Sequence, residues 1–205
     1  MAEIQTAPSY NRPLAEMFGP AEGAGLRVKQ VVLVMLGIAL LAVAAKIRIM
    51  IPYSPVPVTM GTLAVLTIGA AYGPRLGLAT IFGYMIVGAL GFDVFAGSSA
   101  EIYGLTYMMG GTGGYLVGYV LATLVLGLAA QRGLDRSVVG MALALLVGNI
   151  MIYAPGLIWL GQLYGWDQPI LAWGLTPFVI GDAVKLALAA LLVPSVWKLI
   201  GTARG

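Results

Sequence analysis

Long apolar runs, separated by short clusters of glycine, proline and charge, organise this 205-residue chain. Six of them read as membrane-crossing helices: residues 31–50, 59–72, 76–92, 115–130, 138–164 and 176–199. Crossing about 30 Å of hydrocarbon takes about 20 helical residues, or about 17 at the least. Several runs are shorter, so they are expected to tilt little in a thinned bilayer or to extend into their connectors. Pro155 is expected to kink the fifth, and Asp182, Lys185 and Pro194 interrupt the sixth.

The connectors alternate in character. One set carries Arg12, Arg27 and Lys29, then Arg75, then Arg132 and Arg136, then Lys198 and Arg204, which is eight of the eleven basic residues. The other set has Lys46 and Arg48 at its boundary, and Lys185 falls inside a span. Basic connectors face the cytoplasm, so both termini are expected there, which requires an even number of spans. Residues 1–26 read as a partly ordered cytoplasmic tail with a short surface helix, and residues 27–205 as one six-helix membrane domain. The outer connectors are the longer ones. The first, with Pro52, Pro55 and Pro57, reads as stiff and extended. The second, over 92–114, is rich in glycine, and the third spans 165–177.

Composition makes the membrane reading firm. Apolar residues form 60% of the chain and charged residues 9%, against about 45–50% and about 25% in ordinary soluble domains. The fold class expected is therefore an all-α integral membrane protein, a six-transmembrane-helix bundle. The absence of Cys and His removes thiol nucleophiles, the commonest metal ligand and the commonest general base. No phosphate-binding loop for ATP is present in the sequence. A net charge of only +3 leaves no footprint for nucleic acid, and no metal site is expected.

Asp182 and Lys185 are the sharpest chemical signal. Three residues apart on a helix, they share one face. Charge inside a membrane span is costly and usually faces a cavity; a structural ion pair is the other reading. A carboxylate accepts N–H donors and an ammonium grips an anion, so the pair suits a small molecule with urea-like donors and an acid group. The run Gly110-Gly111-Thr112-Gly113-Gly114-Tyr115 offers either freed N–H groups at a helix start or a turn with close helix packing. Gly114 and Gly118, like Gly69, Gly73 and Gly77, have the four-residue spacing of close helix contacts. Glu101 is a weak site candidate, whereas Asp93 and Asp167 read as solvated loop acids. Asn149, Tyr153 and Gln162 read as polar contacts between helices. Tyr and Trp rings suit membrane interfaces or could sandwich a ring system.

In order and spacing, a set of segments resembles the BioY family, the biotin-specific substrate-binding (S) subunits of energy-coupling-factor (ECF) transporters. The carriers are Pro55-Val56-Pro57-Val58-Thr59, Thr62-Leu63-Ala64-Val65, Gly73-Pro74-Arg75-Leu76-Gly77, Val94-Phe95-Ala96-Gly97, Gly113-Gly114-Tyr115 and Gly181-Asp182 with Lys185. The resemblance implies an outward-facing vitamin pocket closed by loops, with biotin as transported ligand and no cofactor. It places Asp182 and Lys185 at biotin-contacting positions. It has the loop around Ser99 and Glu101, and the turn of Gly113 and Gly114 before Tyr115, cover the ligand. It also implies, besides membrane lipid, a partner transmembrane coupling subunit and two ATPase subunits, in the plasma (inner) membrane of a prokaryote. Two other classes compete: an intramembrane aspartyl-type enzyme, and a channel or structural membrane protein. The first lacks the leading glycine of a Gly-x-Gly-Asp pattern, since Val179 stands before Ile180-Gly181-Asp182.

Overall fold

A computed structural model describes residues 13–203 apart from 51, 53 and 100. Most of the tail, with Arg12, and the last residues, with Arg204, lie outside the described residues. The elements are α1 (Gly23–Lys46), β1 (Arg48–Ile49), β2 (Val58–Thr59), α2 (Gly61–Ala89), α3 (Gly104–Met108), α4 (Gly113–Gln131), α5 (Val138–Tyr164), α6 (Ile170–Gly174) and α7 (Thr176–Ala203). Single 3-10 turns occur at Leu14–Met17 and Leu134–Arg136. Among the described residues, five helical stretches are long and apolar enough to cross a membrane: α1, α2, α4, α5 and the run from α6 through α7.

The helix α2 is broken at Gly73, whose φ of 72° and ψ of −179° interrupt it. A side chain disfavours that positive φ, and glycine does not. Pro74 then opens the second arm, where its missing N–H costs nothing. A Cβ placed on Gly77 would lie 3.7 Å from the Cα of Gly69. Eight residues of straight helix would separate these positions by about 12 Å. The arms 61–72 and 74–89 therefore fold back against each other. Two neighbours close on this hinge. The ring of Pro13 sits where a Gly73 side chain would be, and Gly127 of α4 lies so close that its Cβ would be 2.6 Å from the Cα of Pro74.

The first helix differs from its expected span of 31–50. It begins earlier, at Gly23, so Arg27 and Lys29 ride on its first turns. It ends at Lys46 because β1 turns away to pair antiparallel with β2, Arg48 opposite Thr59 and Ile49 opposite Val58. The proline-rich connector is thus the loop of a small hairpin. Its Ser54 hydroxyl accepts the Val56 N–H at 3.1 Å and donates to the Trp173 carbonyl at 2.8 Å, tying the first outer connector to the third. The connectors expected over 92–114 and 165–177 each carry one short helix, α3 and α6. Both α5 and α7 run on as helices through Pro155 and Pro194.

In α7 the buried positions include Phe178, Asp182, Lys185, Ala189 and Val193. Their steps of four, three, four and four residues make one stripe facing the bundle. Two charges therefore occupy a face that is otherwise apolar. At the far end of α7 the Trp197 indole N–H donates to Asp135 Oδ2 at 2.6 Å, and the Arg136 guanidinium lies 4.4 Å above the same ring. Burial in this turn holds the Asp135 carboxyl above the usual carboxylate range.

Candidate ligand-binding cavity

At the end of the bundle opposite the Gly73 hinge lies a cavity walled by the helices and by the first two outer connectors, through Val56 and Pro57 and through Phe95 and Ala96, and the third connector is tied to the first by Ser54 and Trp173. The cavity wall has a polar pole and an aromatic remainder.

Thr59, Thr62 and Tyr153 form the polar pole of the wall. Asp182 and Lys185 stand behind them, 5% and 7% exposed. The Lys185 ammonium donates to Asp182 Oδ1 at 2.7 Å, to the Thr59 carbonyl at 2.7 Å and to Thr62 Oγ1 at 3.1 Å. The Thr62 hydroxyl donates to Asp182 Oδ1 at 3.2 Å, and the Tyr153 hydroxyl donates to Oδ2. Helices α2, α5 and α7 thus meet at one carboxylate. A buried ion pair is tolerable when both charges are so hydrogen-bonded, and each partner depends on the other. The Tyr119 hydroxyl lies over Gly61, where a Cβ would be 2.9 Å from it, and adds one more polar group to the wall.

Rings line the rest. Phe95 stacks on Tyr107 with centroids 4.9 Å apart and meets Tyr84 edge-on at 5.3 Å. Any side chain on Gly88 would strike the Phe95 ring. Tyr153 meets Tyr115 and Phe178 edge-on, at 6.1 and 5.9 Å. Such rings bury a large apolar area in defined orientations, which suits a flat, partly apolar ligand.

The site residues expected from the sequence separate in space. Asp182 and Lys185 come together at the polar pole. Tyr115 is on the cavity wall, and its hydroxyl donates to the Gly174 carbonyl at 2.8 Å. Gly113 and Gly114 pack against Trp159 and Pro155, and the Gly113 N–H donates to the Gly110 carbonyl at 3.0 Å. Ser99 and Glu101 are exposed. The Ser99 hydroxyl accepts the Glu101 and Ile102 N–H groups at 3.3 and 3.1 Å, beside an open cleft with Asp93 and Tyr103.

Sequence reasoning gave Tyr153 only a packing role, and treated Thr59, Thr62 and Phe95 only as parts of family segments. A polar residue in mid-span was the available signal for Tyr153. Nothing local marks Phe95 as a wall residue. Asp93, read as a solvated acid, is exposed yet paired: Lys46 Nζ lies 2.5 Å from its Oδ1. The same ammonium donates to the Phe95 carbonyl at 2.8 Å, and Arg48 donates to the Ala96 carbonyl. The Lys46 ammonium, helped by the Ser98 hydroxyl, holds the Asp93 carboxyl below the usual carboxylate range.

Known proteins resemble this chain in sequence and in fold. The family model described as "BioY family" matches residues 16–202. A Pyrococcus horikoshii protein named "Probable biotin transporter BioY" is 38% identical over 167 residues, covering 82% of this chain and 95% of its own. A Thermotoga maritima protein named "Biotin transporter BioY" is 33% identical over 161 residues, covering 78% and 91%. The fold matches a crystal structure described as "the S-component for biotin from an ECF-type ABC transporter", with a TM-score of 0.75 at 22% identity over 87% of this chain and 95% of that one. With several apolar helices and transporter relatives, this is a multi-pass membrane protein rather than an enzyme. A family match running nearly end to end, with relatives aligned over about four fifths of the sequence, shows that the chain belongs to the BioY family.

Proposed function

We propose that this chain captures biotin at the outer face of a prokaryotic plasma membrane, as the substrate-binding subunit of an ECF-type transporter. The observation that carries this reading is the cavity's division into a buried, charge-backed polar pole and an aromatic remainder. Biotin is divided in the same way. Its planar ureido ring carries two N–H donors and a carbonyl, and its fused, saturated sulfur ring is apolar. The ureido N–H groups meet the Asp182 side of the pole, Lys185 serves a carbonyl or anionic group, and the rings rest on Phe95, Tyr107 and Phe178. The names of the relatives support the same ligand.

In this reading the two arms of α2 cross separately, giving six spans with both termini cytoplasmic. The basic residues support that orientation. Arg27, Lys29, Arg75, Arg132, Arg136 and Lys198 belong to helix ends and turns on the hinge side, whereas Lys46 and Arg48 belong to the cavity side. Residues 1–26 then lie in the cytoplasm ahead of the membrane domain. The sequence has no phosphate-binding loop, so the driving force comes from a coupling subunit and two ATPase subunits.

Proteoliposomes holding this chain alone, with ATP supplied, test the reading. They are expected to retain tritiated biotin at no more than one per protein and to show no accumulation against a gradient. ATP-driven accumulation would overturn the need for partners, and absence of any retained biotin would overturn the capture role.

A further inference from the structure

We propose that Lys46 and Arg48, at the end of α1, form a latch that holds segment 92–99 closed over the cavity and sets the rate of ligand exchange. The identity of the ligand rests on the function proposed above; the latch itself does not.

Three observations converge. First, the two cations spend their hydrogen bonds on one segment. Lys46 reaches Asp93, the Phe95 carbonyl and, at 3.4 Å, Ser98 Oγ, and Arg48 reaches the Ala96 carbonyl. Second, that segment is cavity wall: Phe95 and Ala96 both line it. Between 92 and 99 it has neither helix nor strand. Its other ties include the Tyr84 hydroxyl on the Val94 carbonyl and the Gly97 N–H on the Tyr107 hydroxyl, at 3.0 and 3.2 Å, the Phe92 and Ser99 N–H groups on the Val87 and Ile102 carbonyls, and the packing of Phe95 on Tyr84 and Tyr107. Third, the ion pair is of the weak kind. The side chains of Lys46 and Asp93 are 36% and 69% exposed, against 9% and 7% for Lys185 and Asp182. A solvent-screened pair opens at small cost, whereas a buried one does not. The molecule thus has a permanent pair at the pole of the cavity and an openable pair at its rim.

Opening can be read without any ligand. The chain has no cysteine, so Ala96→Cys gives one thiol on the cavity wall. In purified ligand-free protein, adding Lys46→Met is expected to speed maleimide labelling of that thiol about five- to tenfold. In the chain without the added cysteine, Lys46→Met and, separately, Asp93→Asn are expected to speed dissociation of tritiated biotin by a similar factor. The exchange of charges, Lys46→Glu with Asp93→Lys, is expected to bring dissociation back toward the parent rate. Because Asp93 titrates below its usual range, the parent's dissociation rate is expected to stay flat from neutral pH down to about 4 and to rise only as Asp93, facing Lys46 and Arg48, takes up a proton. Labelling within twofold of the parent, or unchanged dissociation in folded Lys46→Met and Asp93→Asn, would overturn the latch. Protein that labels as expected but binds no biotin would leave the latch standing and overturn the ligand.

Discussion

Replacing Asp182 by Asn is expected to weaken biotin binding about ten- to a hundredfold or more. The substitution keeps the shape of the side chain but removes the charge on which Lys185, Thr62 and Tyr153 converge. A hydrogen bond to a charged group contributes about 1.5–3 kcal/mol, and each ~1.4 kcal/mol is tenfold in affinity. The single change also strands a buried ammonium, which typically costs about 3–5 kcal/mol, so lower thermal stability is expected beside weaker binding. The double change Asp182→Asn with Lys185→Met separates the two effects. It removes both charges, so melting should recover toward the parent value. Biotin affinity should stay poor, because the polar pole has lost what organises it. Near-normal affinity in that folded double variant would make the pair a structural brace and nothing more.

Gly114→Val is expected to lower the melting temperature by roughly 2–12 °C, the equivalent of about 1–3 kcal/mol of overpacking in a chain of this length. A Cβ on Gly114 would strike the Pro155 carbonyl and Trp159 and would lie 3.0 Å from the Cα of Gly156. Much of that contact is backbone, which cannot turn aside, so α4 and α5 would have to separate where Tyr115 and Tyr153 line the cavity. Gly181→Ala is the matching control. Nothing lies within 4 Å of its Cβ position, and alanine favours helix over glycine by about 1 kcal/mol. Its melting temperature should hold or rise although it adjoins Asp182. Equal losses in both variants would mean that helix packing at Gly114 is not what the substitution disturbs.

These cases also mark what the sequence could reveal. The bundle was legible because long apolar runs have few alternatives in a chain with 9% charged residues. The turn near Gly73 was legible as well, since Gly73-Pro74-Arg75 breaks the apolar pattern. Asp182 and Lys185 stood out because charge inside a span demands a reason. What stayed hidden is non-local. Lys46 and Asp93 are 47 residues apart, and no local pattern announces that one folds onto the other. The end of α1 moved for the same reason: β1 pairs with β2 across the proline loop, and apolarity alone carried the helix on to residue 50. Its start at Gly23 was missed because a helix that emerges from the membrane can carry Arg27 and Lys29 without losing its backbone bonds. Gly113 and Gly114 fitted two readings in the sequence, a donor cradle and a packing surface, and in the fold they abut Trp159 and Pro155.

Calorimetric titration of the detergent-purified chain with biotin tests the central claim most directly. The account predicts saturable heat with one site per chain, and no heat from vitamins that lack a ureido ring. A flat biotin titration, on protein shown to be folded by its melting transition, would contradict it.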